Sequence, residues 1–166
     1  MGQGLLRPAT TRDYPLIERW LMQPEVQRWW GNLSAAQSAV MAALREPMGL
    51  CSIIVVDGEP AGYAQAQDAG GPNSAIPRDL TAGCFRVEAF IGEPRFRGQG
   101  LGRDALRLVA EEVFATTLAL GLYVVVPLHN EAAVRAHEKA GFKWLRVIGD
   151  PLFGPSWLMR LDRPNS

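Results

Sequence analysis

Charge of one sign is missing from this chain: seventeen basic residues meet seventeen acidic ones. That balance gives no general footprint for nucleic acid and none for an anionic membrane surface. Cysteine is scarce. Cys51 and Cys84 have neither a C-x-x-C pairing nor metal-ligand spacing. They read as two core thiols in a reducing compartment, the cytoplasm, and no metal is expected. No apolar run is long enough to span a bilayer, no signal-peptide pattern is present, and Met1-Gly2 is followed by Leu6 where a myristoylation motif needs Ser or Thr. Repeats, low-complexity tracts and linkers are also missing. What remains is 166 residues, 48% apolar and 20% charged, an ordinary soluble globular composition. That predicts one domain over residues 1–166 with a sizeable core.

The most informative stretch is residues 85–105. Phe85, Val87, Ala89 and Ile91 alternate as in a strand that ends at Gly92. A turn at Glu93-Pro94 follows, then Arg97-Gly98-Gln99-Gly100-Leu101-Gly102. From Leu101 the apolar spacing becomes helical, through Ala105, Leu108, Val109 and Val113. Strand, glycine loop and helix in that order place unpaired backbone N–H groups and a helix N-terminus at one point, which is an anion site. Arg95, Arg97 and Arg103 add charge able to pair with phosphate. Two familiar phosphate loops are excluded. A Walker loop ends in Gly-Lys-Ser/Thr, whereas this one reads Gly-Arg-Asp. A dinucleotide fingerprint is G-x-G-x-x-G, whereas Gly98, Gly100 and Gly102 give G-x-G-x-G. The local basic patch suits a small phosphate-bearing ligand better than a polymer.

Elsewhere, Gly4 to Arg7 can form a short strand, and Thr10 to Asp13 reads as a capping box ahead of a helix carrying Leu16, Ile17, Trp20 and Leu21. Pro24 opens a second helical piece ending at Trp29-Trp30-Gly31. Adjacent tryptophans cannot share a helix face, so the pair reads either as one in the core and the other lining a cleft or as both packed. Ser34 is the expected cap of a third helix that stops before Pro47. Leu50–Val56 and Pro60–Gln67 form a hairpin about Asp57-Gly58. Asp68 to Gly83 reads as a long irregular loop, the kind that is often functional. The helix from Leu101 is expected to run to about Leu120, with Gly121 just past its end. Tyr123–Pro127 is an apolar, hence central, strand; Asn130 caps a helix over Glu131–Ala140; Phe142–Ile148 and Ser156–Leu161 are two strands about Asp150-Pro151. The expected fold is α/β (α+β), a mixed sheet of about seven strands with about four helices.

Arg97, Gly100 and Gly102, as Arg-x-x-Gly-x-Gly after a strand, resemble the acyl-coenzyme A pyrophosphate loop of the GNAT superfamily of N-acyltransferases. Asn130 through His137 to Gly141-Phe142 resembles that superfamily's later helix motif, with His137 where a tyrosine is usual. Trp29-Trp30-Gly31, Gly58 to Gln65 and Phe90 to Pro94 resemble, more narrowly, bacterial aminoglycoside 6′-N-acetyltransferases. The resemblance covers nearly the whole chain and implies a mostly antiparallel GNAT sheet. It implies acetyl-CoA as cosubstrate, a small-molecule amine as partner, and direct attack in a ternary complex. The acceptor it implies is an aminoglycoside 6′-amine, as in antibiotic resistance. A siderophore precursor, an amino acid or a protein N-terminus are alternatives, as is a non-catalytic coenzyme A-binding module.

The roles implied by resemblance are these. Main-chain groups near Phe90 and Gly92 hold the pantetheine arm, and an N–H of Ile91 or Gly92 polarises the thioester carbonyl. The loop with Arg95, Arg97, Gly98, Gly100, Leu101, Gly102 and Arg103 holds the pyrophosphate. Asn130 contacts the pantetheine or positions water. Glu88 is the general base, on the strand face opposite Val87 and Ala89. His137 is either the general acid or a space filler. Trp30, Asp68, Asp79 and Glu88 are expected at the substrate, with Glu25 and Glu93 as further acidic candidates. Tyr63 and Tyr123 are expected to pack and His129 to be exposed. The chain is expected to be a monomer or weak homodimer.

Overall fold

The computed structural model describes residues 4–46, 49–71 and 74–164. Met1-Gly2 and Pro47, the expected stop of the third helix, lie outside the described residues. The strands are β1 (Gly4–Pro8), β2 (Leu50–Val56), β3 (Glu59–Asp68), β4 (Cys84–Ile91), β5 (Gly121–Pro127), β6 (Lys143–Asp150) and β7 (Gly154–Asp162). The helices are α1 (Tyr14–Leu21), α2 (Pro24–Trp30), α3 (Leu33–Arg45), α4 (Arg78–Thr81), α5 (Leu101–Thr116) and α6 (Glu131–Lys139). The sheet order is β1-β2-β3-β4-β5-β7-β6, antiparallel throughout except where β4 meets β5.

The local signals for the first elements hold. Thr10 and Asp13 form the reciprocal capping box before α1. Asp57 and Gly58 both take positive φ, the backbone that a tight hairpin between β2 and β3 requires. Four expectations need correction. Six helices form among the described residues rather than about four, because the irregular loop contains the turn α4 and buries Ala69 and Ile76. The cap of α3 is Asn32, whose Oδ1 accepts from the Ala35 N–H at 2.8 Å, ahead of Ser34. Helix α5 stops at Thr116, since the Thr117 hydroxyl donates to the Val113 carbonyl and accepts from the Ala119 N–H, turning the chain. Gly121 consequently opens β5.

Strand alternation divides the core between the two faces. Ile17, Trp20, Val40, Ile53 and Tyr63 pack between α1–α3 and one face. Val87, Leu106, Val113, Leu122, Val124 and Phe142 pack under α5 and α6 on the other. Phe90 belongs to the first side and Val87 and Ala89 to the second, so Glu88, in phase with Phe90, faces the α1–α3 side as expected.

The β4–β5 junction positions the site. The two strands pair in parallel only from Cys84↔Gly121 to Arg86↔Tyr123, whereas β3 follows β4 along its whole length. Beyond Arg86 the sheet is therefore open on the β5 side of β4.

Candidate active site

Hydrogen-bond parity shows which groups of β4 face the opening. The Cys84 carbonyl accepts from Ala69 N–H and the Gly92 N–H donates to Ala61, both on the β3 side. Even-numbered residues thus spend their main-chain groups on β3, and odd-numbered ones turn theirs toward β5. The Ile91 carbonyl fits this pattern, since it accepts from Arg97 Nε at 3.1 Å rather than from β3. Val87, Ala89 and Ile91 therefore present an unpaired strand edge to the opening. Of the groups expected near Phe90 and Gly92, the Gly92 N–H is spent on Ala61 O at 2.8 Å, the Gly92 carbonyl accepts from Arg97, and Phe90 lines a cavity beside the edge. Of the two candidate N–H donors, Ile91 remains.

At the end of this edge the glycine loop meets α5. Gly98 and Gly100 both have φ of +76°, and Gly100 is the helix N-cap without a side-chain capping bond. The first N–H groups of α5, from Leu101, Gly102 and Arg103, have no intrahelical acceptor and point outward. Around Gly98 and Gly102 a Cβ would meet nothing within 4 Å, so an anion can approach the backbone there. A cavity of about 80 Å3, lined by Ile54, Ala89, Ile91, Gly102, Leu106 and His137, connects the strand edge to this loop. The guanidinium groups are less free than the sequence suggests. Arg95 pairs with Glu59, and Arg103 with Asp104 at 3.1 Å. Arg97 donates to Ile91 O, Gly92 O and, at 2.6 Å, Gln23 Oε1. The Arg97 side chain braces the end of β4 through these bonds.

On the opposite face a second cavity, about 140 Å3, is lined by Glu88, Arg86, Trp29, Trp30, Asp150 and Phe153, and reaches through the split sheet to Asn130 and His137. Both tryptophans line it, and Trp30 also packs against the core beneath α1–α3. Trp30 packs edge-on against Phe90 at 5.1 Å, and Trp29 lies 5.2 Å from the exposed His129. The Glu88 carboxylate stands 3.5 Å from Arg86 Nε. Below it Tyr63, fully buried, donates to Gln65 Oε1 at 2.8 Å and serves packing, as does Tyr123, whose hydroxyl accepts from Arg160.

Asn130 is the cap of α6, its Oδ1 accepting from Ala133 N–H at 3.3 Å. His137 lines both cavities and packs edge-on against Phe142 at 5.7 Å. Its Nδ1 lies 2.6 Å from the Ala133 carbonyl, which can only accept, so Nδ1 carries the ring proton. Burial lowers its pKa from the usual value, opposed more weakly by that backbone bond. The lowered pKa favours the neutral ring, which offers Nε2 as an acceptor toward the cavities.

Asp68 and Asp79 are not among the residues lining either cavity. Asp68 is exposed and its Oδ1 accepts from Gly70 N–H, and Asp79 is exposed in α4. Glu25 is exposed on α2, and the Glu93 carboxylate is engaged by the Trp20 indole N–H at 3.0 Å. The carboxylate that does reach the cleft beside Glu88 is Asp150, missed in the sequence because Asp150-Pro151 reads as a plain turn. Its Oδ1 accepts from the Leu152 and Phe153 N–H groups. Ala89 and Arg86 were missed as well. Strand parity relative to a known bond is the signal that would have found Ala89.

A split sheet with a free strand edge, an anion-binding helix N-terminus on one side and a carboxylate in an aromatic cleft on the other is built to hold a phosphate-bearing thioester against an amine. That is the class of N-acyltransferases. Residues 9–149 match the family model described as acetyltransferase (GNAT) domain. The chain belongs to the GNAT acetyltransferase family and is an acetyl-CoA-dependent N-acetyltransferase. It is 26% identical over 154 residues to aminoglycoside N(6′)-acetyltransferase type 1 of Klebsiella pneumoniae, covering 88% of this chain and 77% of that protein. It is 29% identical over 151 residues to human alpha/beta-tubulin-N-acetyltransferase 9, covering 84% and 72%. Among solved structures it is similar to AAC(6′)-Ib in complex with coenzyme A and kanamycin, with TM-score 0.82, 26% identity and coverage of 97% and 95%. Among the described residues no helix is long and apolar enough to cross a membrane, and no cluster of side chains could hold a metal ion.

Proposed function

We propose that this enzyme transfers the acetyl group of acetyl-CoA to a primary amine by direct attack in a ternary complex, with Glu88 as the general base. The observation that carries this reading is that Glu88 and the Ala89–Ile91 edge look into one opening from adjacent positions of a strand. The edge of Val87, Ala89 and Ile91 takes the pantetheine arm as an added strand, by main-chain hydrogen bonds. The loop from Gly98 to Arg103 takes the pyrophosphate through its N–H groups. Glu88, directly or through a water, accepts a proton from the incoming ammonium, and the Ile91 N–H stabilises the carbonyl oxygen as the carbon–nitrogen bond forms and the carbon–sulfur bond breaks. His137 accepts a hydrogen bond at Nε2, and the thiolate takes its proton from solvent. Asn130 holds the start of α6 beside the opening.

For the acceptor, the aminoglycoside 6′-amine is supported by the relatives of that activity, including a structure bound to kanamycin. A smaller amine bearing its own anionic group, such as an amino acid or a siderophore precursor, is supported by one observation: a cation, Arg86, lines the cleft while Asp68 and Asp79 lie outside it. Thiol release from acetyl-CoA over an amine panel containing kanamycin, tobramycin and free amino acids tests the function. Tight coenzyme A binding with no thiol release from any amine would defeat it and leave a coenzyme A-binding module.

A further inference from the structure

The acceptor cleft contains a guanidinium that the protein does not satisfy. Arg86 Nε is buried without a hydrogen-bond partner among the described residues. Its one ion pair there is the 3.5 Å approach to Glu88, and three-quarters of its side chain is withdrawn from solvent. Arginines elsewhere in the fold are treated differently. Arg97 braces carbonyl groups, Arg103 pairs with Asp104, and Arg160 is held by Asp162 and Tyr123. The buried Arg86 N–H left without an acceptor costs free energy unless the guanidinium is completed from the cleft. Its planar fork matches a carboxylate.

We propose that Arg86 binds a carboxylate of the acceptor, so that the enzyme selects an amine and a carboxylate carried on one carbon, the head group of an α-amino acid. Arg86 and Glu88 are two residues apart on one strand and point to the same face, side by side. A zwitterion laid across them exchanges their mutual ion pair for two new ones, ammonium to Glu88 and carboxylate to Arg86. The spacing of the protein charges thus fixes the spacing of the ligand charges. A polycation meets the reverse situation. It brings further ammonium groups to a cleft whose cation, Arg86, it cannot pair. The inference rests on the acetyl transfer proposed above and narrows its acceptor.

The test compares a set of L-α-amino acids, each beside its carboxamide, with kanamycin, in wild type and Arg86→Gln. The wild type is expected to prefer free acids over amides by at least about tenfold in kcat/KM. Arg86→Gln should bring acids and amides to within about threefold of one another in kcat/KM, chiefly through a raised KM for the acids, and improve kanamycin relative to both. Calorimetric binding of the same acids and amides to the coenzyme A complex supplies a readout besides activity. Wild-type indifference to the carboxylate, or an Arg86→Gln loss shared equally by acids and amides, overturns the inference while leaving acetyl transfer intact. Carboxylate-dependent binding that Arg86→Gln abolishes, without turnover of any amine, would uphold the inference and remove the transferase function.

Discussion

Glu88 is where one substitution separates chemistry from binding. Its side chain faces the amine cleft, while the coenzyme edge is made of its neighbours' main-chain groups, which a side-chain change leaves alone. Glu88→Gln should therefore lower kcat at least tenfold, in line with the usual worth of a general base, with the coenzyme A dissociation constant unchanged. Wild-type rates in that variant would take Glu88 out of the mechanism. His137 gives a second residue-scale expectation. With Nδ1–H engaged by Ala133 and its pKa lowered by burial, the ring favours the form deprotonated at Nε2. The kcat profile should then show no decline between about pH 6.5 and 8.5, the range in which a histidine acid of ordinary or raised pKa would lose its proton. A falling limb that His137→Gln abolishes would restore the acid role. Glu88 and His137 could be picked from the sequence because motif position names a side chain. Arg86 could not, since its meaning depends on having no partner in the folded chain.

At the scale of elements, the glycines of the β4–α5 unit have separate tasks. A Cβ on Gly92 would stand 2.3 Å from the Trp20 ring, so this glycine exists for packing between the strand end and α1. Gly92→Ala should destabilise the fold by about 1–3 kcal/mol, as overpacking does, seen as a lowered Tm. Gly102 has open space around it on α5. Gly102→Val should leave Tm within a few degrees and raise KM for acetyl-CoA at least about tenfold, because the backbone could no longer meet the pyrophosphate closely. Equal KM values would move the anion site elsewhere. The order of strand, loop and helix was legible from periodicity and glycine spacing. The shorter α5 was not, because a threonine hydroxyl turning back on the preceding carbonyls competes with helix continuation in a way that apolar spacing does not register.

For the whole molecule, His137 also ties stability to pH. A ring kept neutral in the fold but free to protonate when unfolded means that the unfolded state binds more protons at low pH. Stability is then lost as pH falls below the ordinary histidine value of about 6.5 and through the lowered folded value. His137→Leu should lose less Tm than the wild type between about pH 7.5 and 5.5. Equal slopes would show that other groups set the acid limit.

The sequence by itself determined the order of the strands, the strand–glycine loop–helix unit, the caps at Thr10 and Asn130, and the carboxylate on β4, because each depends on residues a few positions apart. Only the tertiary structure decided that β4 and β5 part after Arg86, which frees the edge of Ala89 and Ile91. It also brought Asp150 and Phe153 from the far hairpin to Glu88, left Asp68 and Asp79 outside, and stranded Arg86 in the cleft. These outcomes depend on pairing register and on which donors go unpaired, and both are properties of contacts between distant segments that local sequence does not carry.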